Sequence, residues 1–355
     1  MAQPTINIAF HEAAITAIAR SEKGVGLVFV RGAAAAGKMT VTSRNSEIPA
    51  SLSAENAAYA KRAYIGYVNA PRQVLIYEMG TGETVLQALA AADLYDWDYA
   101  VLPPDVSAEE CSEAVAWVKS ARDNDHRKYK LILPDTAADC YGVINFTATG
   151  IDIGTSETLD AADYCPRIMG VICGTPMNIS ATYAPLPEVV DITRLTRADA
   201  DKAEEAGKLC LLHDGSKVKL GRAVNSFVTP TADHGESFRK IKIVEIIDMI
   251  QTDLRRACED NYIGKYANTY DNKCLLLTAI SGYLMELEQA ELVQPGWTVE
   301  IDVAAQAAWL TKHGVNTAAM TDEEIRQADT GSYVFIKVFT KILDSIEDID
   351  IDVTI

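Results

Sequence analysis

Hydrophobic and polar residues alternate strictly at both ends of the chain. Ile349, Ile351, Val353 and Ile355 interleave with Asp348, Asp350, Asp352 and Thr354; near the start, Ile6, Ile8 and Phe10 interleave with Thr5, Asn7 and Ala9. A period of two places the apolar residues on one face of a β-strand. Chain ends fray unless something ties them down. Two well-patterned terminal strands therefore predict ends that pair, within the chain or with neighbouring subunits by strand addition. Open strand edges promote association, and a chain that keeps them is suited to polymerise.

Between the ends the pattern divides the chain. Residues 25–31, 38–44 and 73–78 read as strands and 54–64 as a helix behind Ser53, predicting a small β-rich domain over 21–82. From residue 83, helical stretches (83–94, 108–122, 163–175) alternate with short apolar strands (99–102, 129–133, 143–147), and 208–214 with 218–224 read as a strand pair. Such alternation predicts an α/β domain with a mainly parallel sheet, here over 83–235. In residues 238–259, Ile243, Ile246, Ile247, Ile250, Leu254 and Ala257 recur at helical spacing. A helix over 271–291, a strand over 298–302, a helix over 304–313 and a strand pair (333–343, 348–355) follow. These predict an α+β domain over 236–343, between an N-terminal arm (1–20) and a C-terminal arm (344–355).

Composition changes this picture in one respect, charge. The 355 residues are 48% hydrophobic and 23% charged, as in an ordinary soluble globular protein. The net charge of −18 argues against a nucleic-acid coat or a binder of anionic membranes, since both need Lys and Arg. The seven cysteines form no Cys-x-x-Cys pair and no zinc-type spacing with histidine. They read as buried, reduced thiols made in a cytosol. The start lacks a basic and apolar leader pattern, so no signal peptide is expected. The longest nearly apolar run, residues 274–285, is shorter than the roughly 20 residues that span a bilayer.

Three motifs suggest phosphate chemistry, and each lacks a part. Gly32 to Lys38 matches Gly-x-x-x-x-Gly-Lys, but Met39 stands where a P-loop needs Ser or Thr, and a β-like stretch follows where it needs a helix. Gly150-Ile-Asp152-Ile-Gly154-Thr155 resembles the first phosphate loop of the actin and sugar-kinase group, with no second loop and too little chain behind it. Asp350-Ile-Asp352-Val-Thr354 resembles a phosphatase box, with one residue left after it. His11, His126, His213, His234 and His313 are scattered outside any catalytic pattern. No catalytic, cofactor or metal residue is predicted.

Arg239, Lys240 and Lys242 put three cations near a predicted helix N-terminus, where the helix dipole disfavours them. With Arg255, Arg256 and Lys265 they form a candidate patch for an acidic partner surface, unless they pair with the chain's own carboxylates.

Asp260-Asn-Tyr-Ile-Gly-Lys265, Tyr270-Asp-Asn-Lys-Cys-Leu-Leu276 and Glu347-Asp-Ile-Asp-Ile-Asp352 resemble the tail sheath proteins of contractile-tailed bacteriophages and phage-tail-like bacteriocins, above all the short sheaths of Gram-positive hosts. Residues 143–147, 170–176 and 224–226 share the likeness, which covers essentially the whole chain. The resemblance implies a small outward-facing β-rich domain, a non-catalytic middle domain of subtilisin-like α/β topology and a C-terminal α+β domain nearest the tube. It implies terminal arms that add strands to the C-terminal domains of neighbours, tying stacked hexameric rings into a helical sheath. Ile6, Ile8, Phe10, Ile349, Ile351, Val353 and Ile355 would make that exchange, and the six cations above would be candidates to face the tube. Gly174-Thr175-Pro176-Met177 is similar to the nucleophile turn of subtilisin-like proteases, with Pro176, which has no hydroxyl, in the serine position. The implied partners are further copies, the tail tube protein, and baseplate and tail terminator proteins. The implied setting is the bacterial host cytoplasm during assembly, then a particle released by lysis. The alternative from a different class is an α/β enzyme handling a phosphate or nucleotide through Lys38 or Asp152; a third reading is a closed, non-contractile oligomer.

Overall fold

The computed structural model describes Ile18, Arg20, residues 23–155 and residues 158–354. The described residues fall into two units, one drawn from Glu22–Ile250 and Asp344–Ile355, the other from Met1–Ser21 and Gln251–Leu343.

The first unit is α/β. Its elements are β1 (Val25–Arg31), β2 (Lys38–Thr42), α1 (Ala54–Arg62), β3 (Gln73–Met79), α2 (Val85–Ala92), β4 (Tyr99–Val101), α3 (Ala108–Asp123), β5 (Lys130–Pro134), β6 (Val143–Thr147), β7 (Ile151–Asp152), β8 (Thr158–Leu159), α4 (Ala161–Cys173), α5 (Arg197–Glu205), β9 (Lys208–His213), β10 (Val218–Leu220) and the start of α6 (Ile241–Asn261). Eight strands form one sheet in the order β10-β9-β6-β5-β4-β1-β3-β2. The run from β9 to β3 is parallel, while β10 and β2 are antiparallel edges. Strands of a parallel sheet are covered on both faces, which explains the nearly unbroken apolar runs of β1 and β3. Their side chains divide by parity. Val28, Val30, Val74 and Ile76 join the core that includes Tyr59 of α1 and Ile168 of α4. Leu27, Phe29, Leu75 and Tyr77 join the core that includes Leu89 of α2 and Val118 of α3.

This topology corrects the sequence reading of 21–82 as a separate β-rich domain. β1 sits between β4 and β3 in the middle of the larger sheet. Strand neighbours are set by the α1 crossover, which joins β1 and β3 in parallel, and local periodicity carries no record of it. Gly170 marks how closely that crossover packs: a Cβ there would meet the carbonyl oxygens of Ile65 at 2.4 Å and Ala63 at 2.6 Å.

The first turns of α6 are held to this unit by buried charge. Asp248 accepts from Arg122 at 2.6 Å and Lys130 at 2.5 Å, and all three side chains are about 95% buried. Glu245 pairs with Lys23. Asp98 accepts the Gly24 and Val25 N–H groups at 2.8 and 2.9 Å and pairs with Lys128. Burial raises the Asp98 pKa, but Lys128, Lys130 and the backbone donors outweigh it and hold the carboxyl below its ordinary value.

The second unit is α+β. It holds the rest of α6, then α7 (Tyr270–Gln289), β11 (Thr298–Ile301), α8 (Val303–Lys312), α9 (Asp322–Gln327) and β12 (Ile336–Phe339). Leu276, Ala279, Ile280, Tyr283, Leu284 and Leu287 form the buried stripe of α7. The Tyr283 hydroxyl donates to Asp253 of α6 at 2.7 Å. β11 and β12 pair antiparallel, Thr298 opposite Phe339 through Ile301 opposite Ile336, as a sheet of two strands. The predicted strand over 333–343 is thus shorter, and its predicted partner over 348–355 forms no ladder among the described residues.

Removing one member of a buried ion cluster leaves the others charged and unpaired. Asp248→Ala should destabilise the α/β unit by about 3–5 kcal/mol, read from equilibrium urea unfolding with the buried Trp97 as probe.

Candidate assembly interface

The C-terminal arm joins a fixed root to an exposed stretch. At the root, Glu347 accepts from Ser180 at 3.2 Å and Thr182 at 2.8 Å, and Lys240 and Arg222 stand at 3.1 and 3.9 Å. Arg222 also binds Asp348 at 2.6 Å, Lys240 pairs with Asp344, and Lys242 donates to Ser345 at 3.1 Å and to the Asn178 carbonyl at 3.0 Å. The Lys240 pKa is lowered by burial but raised more by Asp344 and Glu347, so its net shift is upward; burial shifts that of Lys242 downward. Beyond Asp348 the backbone has no ladder partner among the described residues. Ile349, Ile351 and Val353 are 71%, 79% and 71% exposed. Three apolar residues on one face of an extended segment, all in water, form an exposed apolar stripe.

Both outer edges of the β11–β12 sheet lack ladder partners among the described residues. The apolar face of that sheet is Val299, Ile301, Ile336 and Val338, of which only Ile301 is fully buried. Isolated two-stranded ladders are marginal in water and gain from further strands.

The sequence-predicted cations fall into two groups. Arg239, Lys240 and Lys242 pair within their own chain, the alternative the sequence left open for them. Arg239 lies in a 3-10 turn before α6 and donates to the Glu204 and Glu205 carbonyls at 3.1 and 2.8 Å, the C-terminal end of α5, where a cation is favoured. Arg255, Arg256 and Lys265 belong to the α+β unit; Arg256 and Lys265 are exposed and Arg255 is half-buried. Beside Lys265, Ile263 and Tyr266 are exposed as well. Ile6, Ile8, Phe10 and Ile355 lie outside the described residues.

The motifs that resembled chemistry resolve into turns. Gly32 to Gly37 bridges β1 and β2, the Ala34 carbonyl accepts from the Thr81 N–H at 2.8 Å, and Lys38 opens a strand where a phosphate loop would open a helix. Asp152 in β7 accepts from the Gly154 N–H at 2.7 Å, closing a local turn. Gly174 to Pro176 follows the C-terminal end of α4, and Thr175 Oγ1 donates back to the Val171 carbonyl at 2.7 Å. A helix C-terminus presents carbonyls, the wrong polarity for stabilising an oxyanion. Cys165 and Cys173 are fully buried, and that burial raises their thiol pKa values well above the ordinary range. Among the described residues no group of three or more His, Cys, Asp or Glu is placed to hold a metal.

Sequence reasoning missed the root. Its only trace is that Glu347 opens the alternating acidic run; Ser180, Thr182 and Arg222 lie far away in sequence. Glu347→Ala should free the root. Limited proteolysis should then cut within residues 344–354 several-fold faster, with the circular dichroism spectrum unchanged.

Residues 233–355 match the phage tail sheath C-terminal domain family. Over nearly its whole length the chain is similar to the tail sheath protein of Clostridium phage phiCD119, 36% identical over 356 residues and covering 98% of each chain. Among solved structures it resembles the contracted helical sheath of the anti-feeding prophage (TM-score 0.71, 15% identity, 100% of this chain and 99% of that one). It also resembles the sheath tail protein of Desulfitobacterium hafniense (TM-score 0.68, 18% identity, 84% and 94%). These likenesses extend to the mixed α/β, multidomain fold. With a relative this similar from end to end, the chain belongs to the phage tail sheath protein family.

Proposed function

We propose that this protein is the structural subunit of a contractile tail sheath, assembling as stacked hexameric rings around a tail tube and contracting to drive the tube through a cell envelope. The observation that carries this reading is the arm: pinned at Glu347, amphipathic beyond it, and without a strand partner among the described residues. An arm of this kind completes a sheet on another copy. Burying Ile349, Ile351 and Val353 there would contribute about 1.5–3 kcal/mol per side chain, before the cost of ordering the arm. The apolar positions Ile6, Ile8 and Phe10 give the N-terminal arm the same role, and Ile355 extends the C-terminal face.

Contraction by this route needs no nucleotide. Rigid subunits would rotate and slide while strand-exchanged arms keep the mesh connected, and the difference in interface free energy between two lattice states would do the work. The parallel sheet with helices on both faces supports reading the α/β unit as a non-catalytic, subtilisin-like scaffold. Arg255, Arg256 and Lys265, beside the exposed Ile263 and Tyr266, are the surface we assign to the tube. Baseplate and tail terminator proteins would close the two ends. Assembly would take place in the bacterial host cytoplasm, and lysis would release the particle.

Deleting residues 349–355 tests the reading. Electron microscopy of the purified full-length chain, alone and co-expressed with a tube protein, should show striated tubes or stacked rings. The truncated chain should remain monomeric with an unchanged thermal melt. A truncation that unfolds would mean the strand completes its own core, and uniform small closed particles from the full chain would favour a non-contractile oligomer.

A further inference from the structure

We propose that the root of the arm is a length stop. Residues 344–348 stay bonded to the α/β unit while a second copy holds the arm, so that only residues 349–355 span the gap, and Glu347 is the residue that positions them. The inference rests on the strand-addition reading above and concerns the near end of the arm, whatever surface receives the far end.

The chain is pinned on both sides of one peptide bond. Leu343 belongs to the α+β unit, where its N–H donates to the Leu292 carbonyl at 2.9 Å. Asp344 belongs to the α/β unit and pairs with Lys240. The residues that follow are tied to three separate places in that unit. Ser345 accepts from Lys242 of α6 at 3.1 Å. Glu347 accepts from Thr182 at 2.8 Å and lies 3.1 Å from Lys240. Asp348 binds Arg222, just past β10, at 2.6 Å. The Glu347 side chain is 6% exposed, against 71–79% for Ile349, Ile351 and Val353, so the hold ends abruptly. Ile346, in the middle of the root, is 86% exposed, so polar bonds hold this stretch and apolar burial does not. Such bonds are directional, and a segment tied by them to three elements has one register.

Reach follows from where the last bond lies. An extended chain advances about 3.4 Å per residue, so residues 349–355 extend about 24 Å past Asp348. With the root open, residues 344–355 would extend about 40 Å from Leu343. The closed root therefore selects among neighbours: a receiving surface beyond about 24 Å is out of range. Within range, a shorter flexible tether gives a higher effective concentration at the receiving surface. Tension on a docked arm meets the bonds of Asp348 and Glu347 before it reaches Leu343. The neighbour is thereby coupled to the α/β unit, and the link between Leu343 and Asp344 carries none of the pull.

The test is the position of an insertion in the full-length chain, with the protein concentration at which polymer forms read by sedimentation. Four Gly-Ser repeats between Asp348 and Ile349 lengthen the tether and keep its alternation in phase; they should raise the threshold about threefold. The same repeats between Leu343 and Asp344 lie behind the stop and should leave the threshold unchanged. In Glu347→Ala, which opens the root, the second insertion should raise the threshold as the first does, relative to Glu347→Ala alone. Two insertions that act alike in the wild-type chain, both silent or both disruptive, would overturn the stop, as would disruption by the second alone. A second insertion still silent in Glu347→Ala would overturn the role of Glu347. The unaltered chain gives a check that no misfolded variant can spoil. Amide exchange over residues 344–348 should be no faster in polymer than in monomer; faster exchange means that the root opens on docking, and the stop is wrong. Residues 349–355 are deleted in parallel: polymer formed without them sinks strand addition itself. Loss of polymer there, with insertions that act alike, sinks only the length stop.

Discussion

An unpaired strand edge is the constraint on which this molecule turns. Backbone N–H and C=O groups that leave water must find partners, and a short sheet with two open edges meets that requirement only at the cost of staying wet. The eight-stranded sheet ends in antiparallel edge strands and buries its interior strands on both faces. The β11–β12 sheet and the arm do neither. Each presents an apolar face beside a row of backbone groups that have no ladder partner among the described residues. Folding of one chain completes the α/β core; the proposed assembly would complete these edges.

Charge divides the labour along the last residues of the chain. Glu347 is buried among hydroxyls and cations, so the root has a fixed place and direction. The aspartates beyond Asp348 are in water. An extended segment loses less entropy on binding when one end is already immobilised, so the root lowers the cost of docking without contributing to the docked contact. The root takes up Lys240 and Lys242, and the end of α5 takes up Arg239, three cations that in sequence looked like a surface for some other acidic molecule. In a chain of net charge −18, cations of this kind are scarce, and the structure spends three of them on internal order.

Much of the secondary structure was legible because its signals are local. Residues 25–31 are recovered as β1 to the residue and 143–147 as β6, since apolar runs opened by Gly24 and Gly142 leave little choice. What the sequence hid was non-local. The placement of β1 and β3 at the centre of the large sheet depends on a crossover that periodicity does not record. The root depends on Ser180, Thr182 and Arg222 meeting Glu347, over separations of more than 120 residues. The alternation at 348–355 predicted a strand, but a strand needs a pairing segment, and residues 348–354 have none among the described residues. The failed phosphate motifs carry the same lesson: Gly32 to Lys38 has the letters of a phosphate loop, yet a strand follows it, so no helix N-terminus faces the turn.

The central claim is that the arm and the β11–β12 edge acquire their backbone partners only from other copies. Amide hydrogen exchange on monomer and polymer measures this residue by residue. The account predicts fast exchange at residues 349–354 and at Ile336, Val338 and Thr340 in the monomer, and strong protection of both segments in the polymer. Protection already present in the monomer, or fast exchange persisting in the polymer, would contradict it.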